Sequence, residues 1–284
     1  MSPLNPERAL NPERALNPES SLNPESSLNP EHYKIFDSHA HYDDERFKQS
    51  PGILAELPQN GVVGVINCAV HLASSQTAVA YSKKYPHVFA AVGVHPENLA
   101  DGPFDPALFA PLAKQPKTVA IGEIGLDYYW NKENKAEQAA VLTQQLLFAK
   151  TQNLPVILHD RDAHNDMLQI LQQFKPRGVL HCFSGSAEMA KQVLSLGLYL
   201  GVGGVLTFKN ARKTAEVVRI LPLDRLLLET DAPYLAPEPF RGKLNRSEYI
   251  YFVGRQVAEL KGVPAEQVFN AALKNTKALF SKIK

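Results

Sequence analysis

The feature that most constrains the fold is a regular alternation between two patterns of hydrophobicity. From Tyr33 onward, short apolar runs rich in β-branched residues alternate with longer segments of helical periodicity. The eight predicted strands are 33–37, 62–67, 88–94, 118–122, 155–159, 178–182, 198–202 and 225–230. Nearly continuous apolar strands are typical of strands that are buried on both faces, hence of parallel strands covered by helices. Eight strand–helix units predict a single (β/α)8 barrel, a TIM barrel of the α/β class, over residues 33–284.

The predicted helices complete this alternation. They are 50–59, 72–84, 105–114, 133–152, 162–174, 186–196, 209–220, 246–260 and 264–282. An open doubly wound sheet would carry a glycine-rich phosphate loop after its first strand. Residues 37–41 read Asp-Ser-His-Ala-His instead, which favours the closed barrel.

Residues 1–32 follow a different pattern. Leu-Asn-Pro-Glu occurs five times at a spacing of six, beginning at Leu4, Leu10, Leu16, Leu22 and Leu28. A proline in every repeat excludes a continuous helix, and one leucine per repeat buries too little surface to offset the ordering entropy. We expect this segment to be a disordered extension outside the barrel, and a linear binding motif is the alternative.

The composition limits the kinds of partner that the chain can have. The net charge is +1, whereas a large nucleic-acid footprint usually brings a basic excess, so only a local basic patch is expected. No apolar run approaches the roughly 18 residues of a membrane span, so we expect no membrane partner. Cys68 and Cys182 are the only cysteines, and the N-terminus lacks a secretory pattern, so we expect a cytoplasmic location.

Seven histidines and carboxylates lie where predicted strands end. The set comprises His39, His41, His95, Glu123, His159, His181 and Asp231. In a (β/α)8 barrel the carboxyl ends of all strands meet at one rim, which is where active sites are found. The pattern therefore predicts one polar site at this rim.

The spacing and chemistry of these residues indicate metal binding. His39 and His41 are two apart in a strand, so both imidazoles point to the same side and can bind one cation. Imidazoles with carboxylates suit divalent ions such as Zn, Mn, Ni or Fe, and Mg is a further candidate. Six ligands are too many for one tetrahedral zinc, so we predict two ions bridged by a carboxylate. In this assignment, His39, His41 and Asp231 hold one ion, His159 and His181 hold the other, and Glu123 bridges them.

Several motifs resemble those of the TatD family of metal-dependent deoxyribonucleases, among the amidohydrolase-like metallo-barrels. They are Asp37–His41, Gly93–Pro96, Gly122–Tyr128, His181–Gly185 and Glu229–Leu235, and the resemblance runs from about residue 34 to the C-terminus. It implies the same ligand set and deoxyribonuclease or phosphodiesterase activity. Two positions depart from the family pattern. Tyr42 replaces a more usual Leu, and Arg241–Ser247 reads Arg-Gly-Lys-Leu-Asn-Arg-Ser instead of Arg-Gly-Lys-Arg-Asn-Glu-Pro.

These observations predict a two-metal-ion hydrolase that cleaves DNA with a metal-activated water. Asp231 is the predicted proton acceptor, and Glu123 is the second catalytic carboxylate. The predicted substrate-binding residues are His95, Arg161, Lys209 and Arg241, although His95 could instead cap the loop at Pro96. The alternative function is amide or ester hydrolysis, for example deacylation of aminoacyl-tRNA. Many amidase relatives bridge their metals with a carbamylated lysine, so Glu123 in that place favours the nuclease.

Overall fold

A computed structural model of the protein describes residues 33–284. Its eight parallel strands form one sheet in sequence order, as a (β/α)8 barrel requires. They are β1 (Ile35–Ala40), β2 (Val62–Cys68), β3 (Val88–Val92), β4 (Thr118–Asp127), β5 (Val156–Arg161), β6 (Gly178–Leu180), β7 (Tyr199–Val202) and β8 (Leu226–Leu228). The predicted barrel is confirmed. The predicted disorder of the Leu-Asn-Pro-Glu repeats falls outside the described residues.

The first and last strands meet through residues of the predicted metal site. Asp231 N donates to His39 O at 2.9 Å, and His41 N donates to Ala232 O at 2.7 Å. Residues 40 and 232 form the parallel bridge that joins the two ends of the sheet. The backbone contacts that bring the two ends together therefore also fix three predicted ligands relative to one another.

The helices follow the strands along the chain. They are α1 (Ile53–Glu56), α2 (Leu72–Lys84), α3 (Pro106–Ala113), α4 (Lys135–Gln152), α5 (His164–Phe174), α6 (Ala187–Ser195), α7 (Arg212–Ile220), α8 (Ile250–Lys261) and α9 (Ala265–Leu279). The predicted helix 50–59 is reduced to the single turn of α1 and a following 3-10 turn, Leu57–Asn60. Pro58 lies in that turn and has no N–H for an α-helical hydrogen bond, which accounts for the early end.

Alternate residues of the strands pack into two buried layers. Ile157 and Leu227 belong to a cluster that includes Phe280 near the C-terminus. Their neighbours, such as Val156 and Leu226, belong instead to the large cluster, which contains most of the buried helix residues. The strands are thus buried on both faces, as their nearly continuous apolar sequences predict. Within residues 33–284, no helix is both long and apolar enough to cross a membrane.

Strand β4 is longer than its sequence predicts, and this changes the position of Glu123. The predicted strand ends at residue 122, but β4 continues to Asp127, so Glu123 lies inside the strand rather than at its end. The pairing of β4 with β5 shifts register between Ile121 and Ile124, which indicates a bulge at residues 122–123. The glycines at 122 and 125 interrupt the apolar pattern, so the sequence did not reveal the extension.

Candidate metal centre

The Glu123 carboxylate lies at the centre of the polar cluster. Its Oε2 atom is 3.2 Å from His39 Nε2 and 3.3 Å from His41 Nε2. Its Oε1 atom is 2.9 Å from His159 Nδ1 and 2.7 Å from His181 Nε2. Each oxygen of one buried carboxylate therefore faces its own pair of imidazoles.

Asp231 joins the first of these pairs. Its Oδ1 atom is 3.3 Å from His41 Nε2 and 3.6 Å from His39 Nε2. The Asp231 side chain is 18% exposed, whereas that of Glu123 is 4% exposed. Of these two carboxylates, Asp231 is thus the one with more access to solvent.

Hydrogen bonds behind two of the imidazoles fix their orientation. His41 Nδ1 lies 2.8 Å from the carbonyl oxygen of Cys68. His159 Nε2 lies 2.9 Å from Asp127 Oδ2. Both partners are acceptors, so the proton of each neutral ring resides on that nitrogen. The lone pairs of His41 Nε2 and His159 Nδ1 then point towards Glu123, as metal ligands require.

The other two imidazoles connect the two halves of the cluster. The rings of His39 and His181 stack with centroids 3.8 Å apart and an interplanar angle of 9°. Their Nδ1 atoms are buried and have no hydrogen-bond partner among the described residues. Glu229 Oε1 is 3.8 Å from His181 Nδ1 and accepts a hydrogen bond from Cys182 N. Burial raises the pKa of Glu229 to about 8.

The cluster suits divalent cations in both charge and donor chemistry. Burial alone would raise the pKa of Glu123, but His181, His39 and His95 outweigh it and hold that pKa well below its usual range. An ionised carboxylate therefore lies among convergent ring nitrogens. Among the described residues, four groups of side chains at this site bring ligand atoms within 4.8 Å of one another: His39–His41–Glu123, His39–His181–Asp231, His95–Glu123–His159 and Glu97–Asp127–His159. Such nitrogen and oxygen donors fit borderline divalent metals.

Comparison with known proteins identifies the family. The family model of TatD related DNase matches residues 36–281. The chain belongs to this family. The metal-dependent hydrolase YabD of Bacillus subtilis is 39% identical over 251 residues, which cover 87% of this chain and 98% of YabD. The metal-dependent hydrolase YcfH of Escherichia coli is 37% identical over 253 residues, which cover 87% of this chain and 95% of YcfH.

A solved structure supports the same assignment. The crystal structure of YjjV, a TatD homolog from Escherichia coli, matches with a TM-score of 0.81 and 35% sequence identity. The match covers 88% of this chain and 99% of YjjV. The resemblance found in the sequence is thus confirmed, and the chain is a TatD-family metal-dependent hydrolase.

His95, predicted as a substrate-binding residue, lies inside the candidate metal centre of this TatD-family site rather than at the exposed rim of the barrel. It is buried, and its Nε2 atom is 3.4 Å from Glu123 Oε1. Its Nδ1 atom accepts a hydrogen bond from Glu97 N at 3.2 Å and caps the 3-10 turn Pro96–Asp101. With Nδ1 as an acceptor, the proton of the neutral ring resides on Nε2 and faces Glu123. This geometry favours a role in holding the Glu123 carboxylate, together with the capping role that the sequence left open.

The three predicted cationic substrate-binding residues are exposed, and each lies at the end of a barrel strand or on the loop that follows one. Arg161 ends β5, and its guanidinium lies 4.1 Å from the centroid of the Tyr129 ring. The Arg241 guanidinium lies 3.7 Å from the centroid of Phe208, the residue before the exposed Lys209. The loops after β7 and β8 therefore contact each other, and they bring Lys209 and Arg241 to one region.

Sequence reasoning gave no role to three residues that the structure connects to the site. Asp37 is fully buried and accepts hydrogen bonds from Thr230 Oγ1 and Ser247 Oγ, both at 2.6 Å. It thereby holds β1 against the loop after β8. Tyr129 and Trp130 follow Asp127 at the end of β4 and are exposed. Trp130 is the only tryptophan of the chain, and this is the signal in the sequence that could have drawn attention to it.

Proposed function

We propose that this TatD-family hydrolase binds two divalent ions and cleaves phosphodiester bonds of DNA. The observation that carries the proposal is the division of the site at Glu123, whose two oxygens face separate imidazole pairs 2.7–3.3 Å away. Two-metal hydrolases of phosphodiesters place their ions about 3.5–4 Å apart, a spacing that one bridging carboxylate can span.

The residues that would hold the ions follow from this division. His39, His41 and Asp231 would hold the first ion, His159 and His181 the second, and Glu123 both. Four imidazoles with two carboxylates favour Zn, Mn, Fe or Ni over Mg, which prefers oxygen ligands. Two such ions, when bound, polarise a phosphoryl oxygen and lower the pKa of water towards neutrality.

The side chains of the protein supply proton transfer and position. Asp231 is the proposed proton acceptor, because it is the more exposed of the two central carboxylates and its Oδ1 atom faces two imidazoles. Glu123 keeps the two halves of the site at a fixed separation, and the contact from His95 holds its Oε1 side.

A phosphodiester substrate agrees with the charges around the site. Arg161 ends β5, Lys209 and Arg241 lie on the loops after β7 and β8, and all three are exposed to solvent. Cationic side chains in these places can bind the phosphates that flank a cleaved bond. The DNase description of the matching family model points in the same direction.

The test compares substrates in one assay. The full chain, loaded with Mn or Zn, is incubated with labelled single-stranded DNA, duplex DNA, RNA, a small phosphodiester and aminoacyl-tRNA. We expect cleavage of DNA and of the small phosphodiester that stops on chelation of the metal and is lost in His39→Ala/His41→Ala. Release of the amino acid from aminoacyl-tRNA without any phosphodiester cleavage would instead assign the alternative function, ester hydrolysis.

A further inference from the structure

The exposed aromatic residues of the described chain are concentrated at the rim of the barrel where the carboxyl ends of the strands meet. Tyr129 is 50% exposed, Trp130 63% and Tyr234 40%, and these lie on the loops after β4 and β8. The exposed large aliphatic residues outside these two loops are Val63, Leu108, Leu147 and Ile220, which lie singly on a strand and on helices. Single exposed aliphatic residues are common, whereas clustered aromatic rings beside a site indicate a binding surface.

Two of these rings form a corner with a fixed positive charge. The Tyr129 and Trp130 rings meet edge to face, with centroids 4.8 Å apart and an interplanar angle of 88°. The Arg161 guanidinium lies 4.1 Å from the Tyr129 centroid and 5.6 Å from the Trp130 centroid. We call these three residues the aromatic corner. Because Arg161 lies over Tyr129, the more exposed Trp130 ring offers the larger surface for a ligand.

The aromatic corner is joined rigidly to a predicted metal ligand. Asp127 Oδ1 accepts hydrogen bonds from Tyr129 N and Trp130 N, both at 2.9 Å. The other oxygen of the same carboxylate is 2.9 Å from His159 Nε2. Arg161 lies two residues after His159 and pairs with Asp127 across the β4–β5 ladder. The position of the corner relative to the metal centre is therefore set by one carboxylate and one strand pair.

We infer that the aromatic corner binds an unpaired nucleobase of the substrate, which stacks on Trp130 while Arg161 attracts a neighbouring phosphate. This inference rests on the proposed phosphodiesterase function and adds a residue that determines specificity. A base within a duplex has its faces covered by neighbouring bases, so only an unstacked base can use the Trp130 ring. Every base has such a face, so the corner selects unpaired strands without reading their sequence.

The single tryptophan makes this inference directly measurable. Because Trp130 is the only tryptophan, its fluorescence reports the corner alone when the excitation avoids tyrosine. The metal-loaded full chain is titrated with a single-stranded phosphorothioate oligonucleotide that resists cleavage. We expect this strand to quench Trp130, and an abasic strand with the same number of phosphates to bind more weakly without quenching. Equal quenching by both strands would overturn the inference.

Variants supply a second readout. Trp130→Ala should weaken binding of the single strand and raise its KM by about fivefold to a hundredfold, while kcat changes little. Trp130→Phe should restore most of the affinity, because it keeps an aromatic face. Leu147→Ala, at a 50% exposed position on α4, is the matched control and should behave as the unaltered protein.

These experiments distinguish a failure of the inference from a failure of the proposed function. Cleavage of single-stranded DNA with the same KM in Trp130→Ala as in the unaltered protein would overturn the role of the corner and leave the proposed function standing. Absence of both binding and cleavage for every nucleic acid in the metal-loaded protein would overturn the proposed function and this inference together.

Discussion

The Asp127 carboxylate lies 2.9 Å from His159 Nε2, on the far side of the imidazole from Glu123. The contact keeps the ring proton on Nε2 and directs the Nδ1 lone pair into the site. Burial opposes ionisation of Asp127, but the hydrogen bonds from His159, Trp130 and Tyr129 together outweigh it and lower the Asp127 pKa. A charged carboxylate behind the ring also makes the imidazole a stronger ligand.

Asp127→Asn therefore tests this support without removing a ligand. The amide oxygen can still accept the N–H groups of Tyr129 and Trp130, but the amide nitrogen cannot accept the proton of His159 Nε2. We expect the affinity for one ion to fall about 10- to 100-fold, measured by titration against a chelating dye. Asp166→Asn, which removes a nearby charge bonded to Tyr128 Oη, is the control. Equal metal affinity in the two variants would contradict the role given to Asp127.

The division of the site at Glu123 predicts how metal content responds to paired substitutions. We expect the metal content to fall from two ions per chain to one in His39→Ala/His41→Ala and also in His159→Ala/His181→Ala. Glu123→Gln should weaken the binding of both ions. Metal analysis of protein purified without chelators measures this, and circular dichroism checks that the barrel is intact. A folded His39→Ala/His41→Ala variant that keeps the full metal content would overturn the ligand assignment.

The sequence predicted the barrel and the convergence of its ligands because both depend on local patterns. Strand–helix alternation specifies the architecture, and the strand ends then meet at one rim. Thus His41 Nε2 and Asp231 Oδ1, which are separated by most of the chain, lie 3.3 Å apart, as a shared metal site would require.

Features that depend on contacts between distant segments were beyond the sequence. The extension of β4 past Glu123 requires pairing with β5, which the glycines at 122 and 125 obscure. The position of His95 is another case, because its contact with Glu123 results from the 3-10 turn that follows β3. Neither feature has a periodic signal along the chain.

Gly125 offers a test of how closely β4 and β5 must approach. A Cβ atom at this position would overlap the backbone of His159, including its carbonyl oxygen. We expect Gly125→Ala to lower the free energy of unfolding by about 1–3 kcal/mol, because the strands must separate to relieve the overlap. Chemical denaturation of the chelator-treated protein measures this change without the contribution of bound metal. In Gly52→Ala, the control, the new Cβ meets only the flexible end of Glu56, and stability should change little.

Asp231 is the proposed proton acceptor of the site. Without a bound cation, burial would raise its pKa, but the hydrogen bond from His41, whose own pKa is raised well above its usual value, and the interactions with His39 and His181 outweigh burial and lower it. The carboxylate is therefore in its basic form at neutral pH, and a bound cation would lower the pKa further. Asp231→Asn keeps an oxygen that can face His41 but removes the base.

Asp231→Asn should consequently lower kcat by about two to four orders of magnitude, while KM and metal content change little. Lys209→Ala should have the opposite effect on the two kinetic constants: a raised KM and a nearly unchanged kcat. An exposed cation contributes to substrate binding rather than to proton transfer. Steady-state kinetics on the same DNA substrate, with metal content measured in each sample, separates the two effects. Near-normal turnover of fully metallated Asp231→Asn would move the proton acceptor to another group. His95 would be the next candidate, although its Nδ1 atom already accepts from Glu97 N and its Nε2 atom faces Glu123.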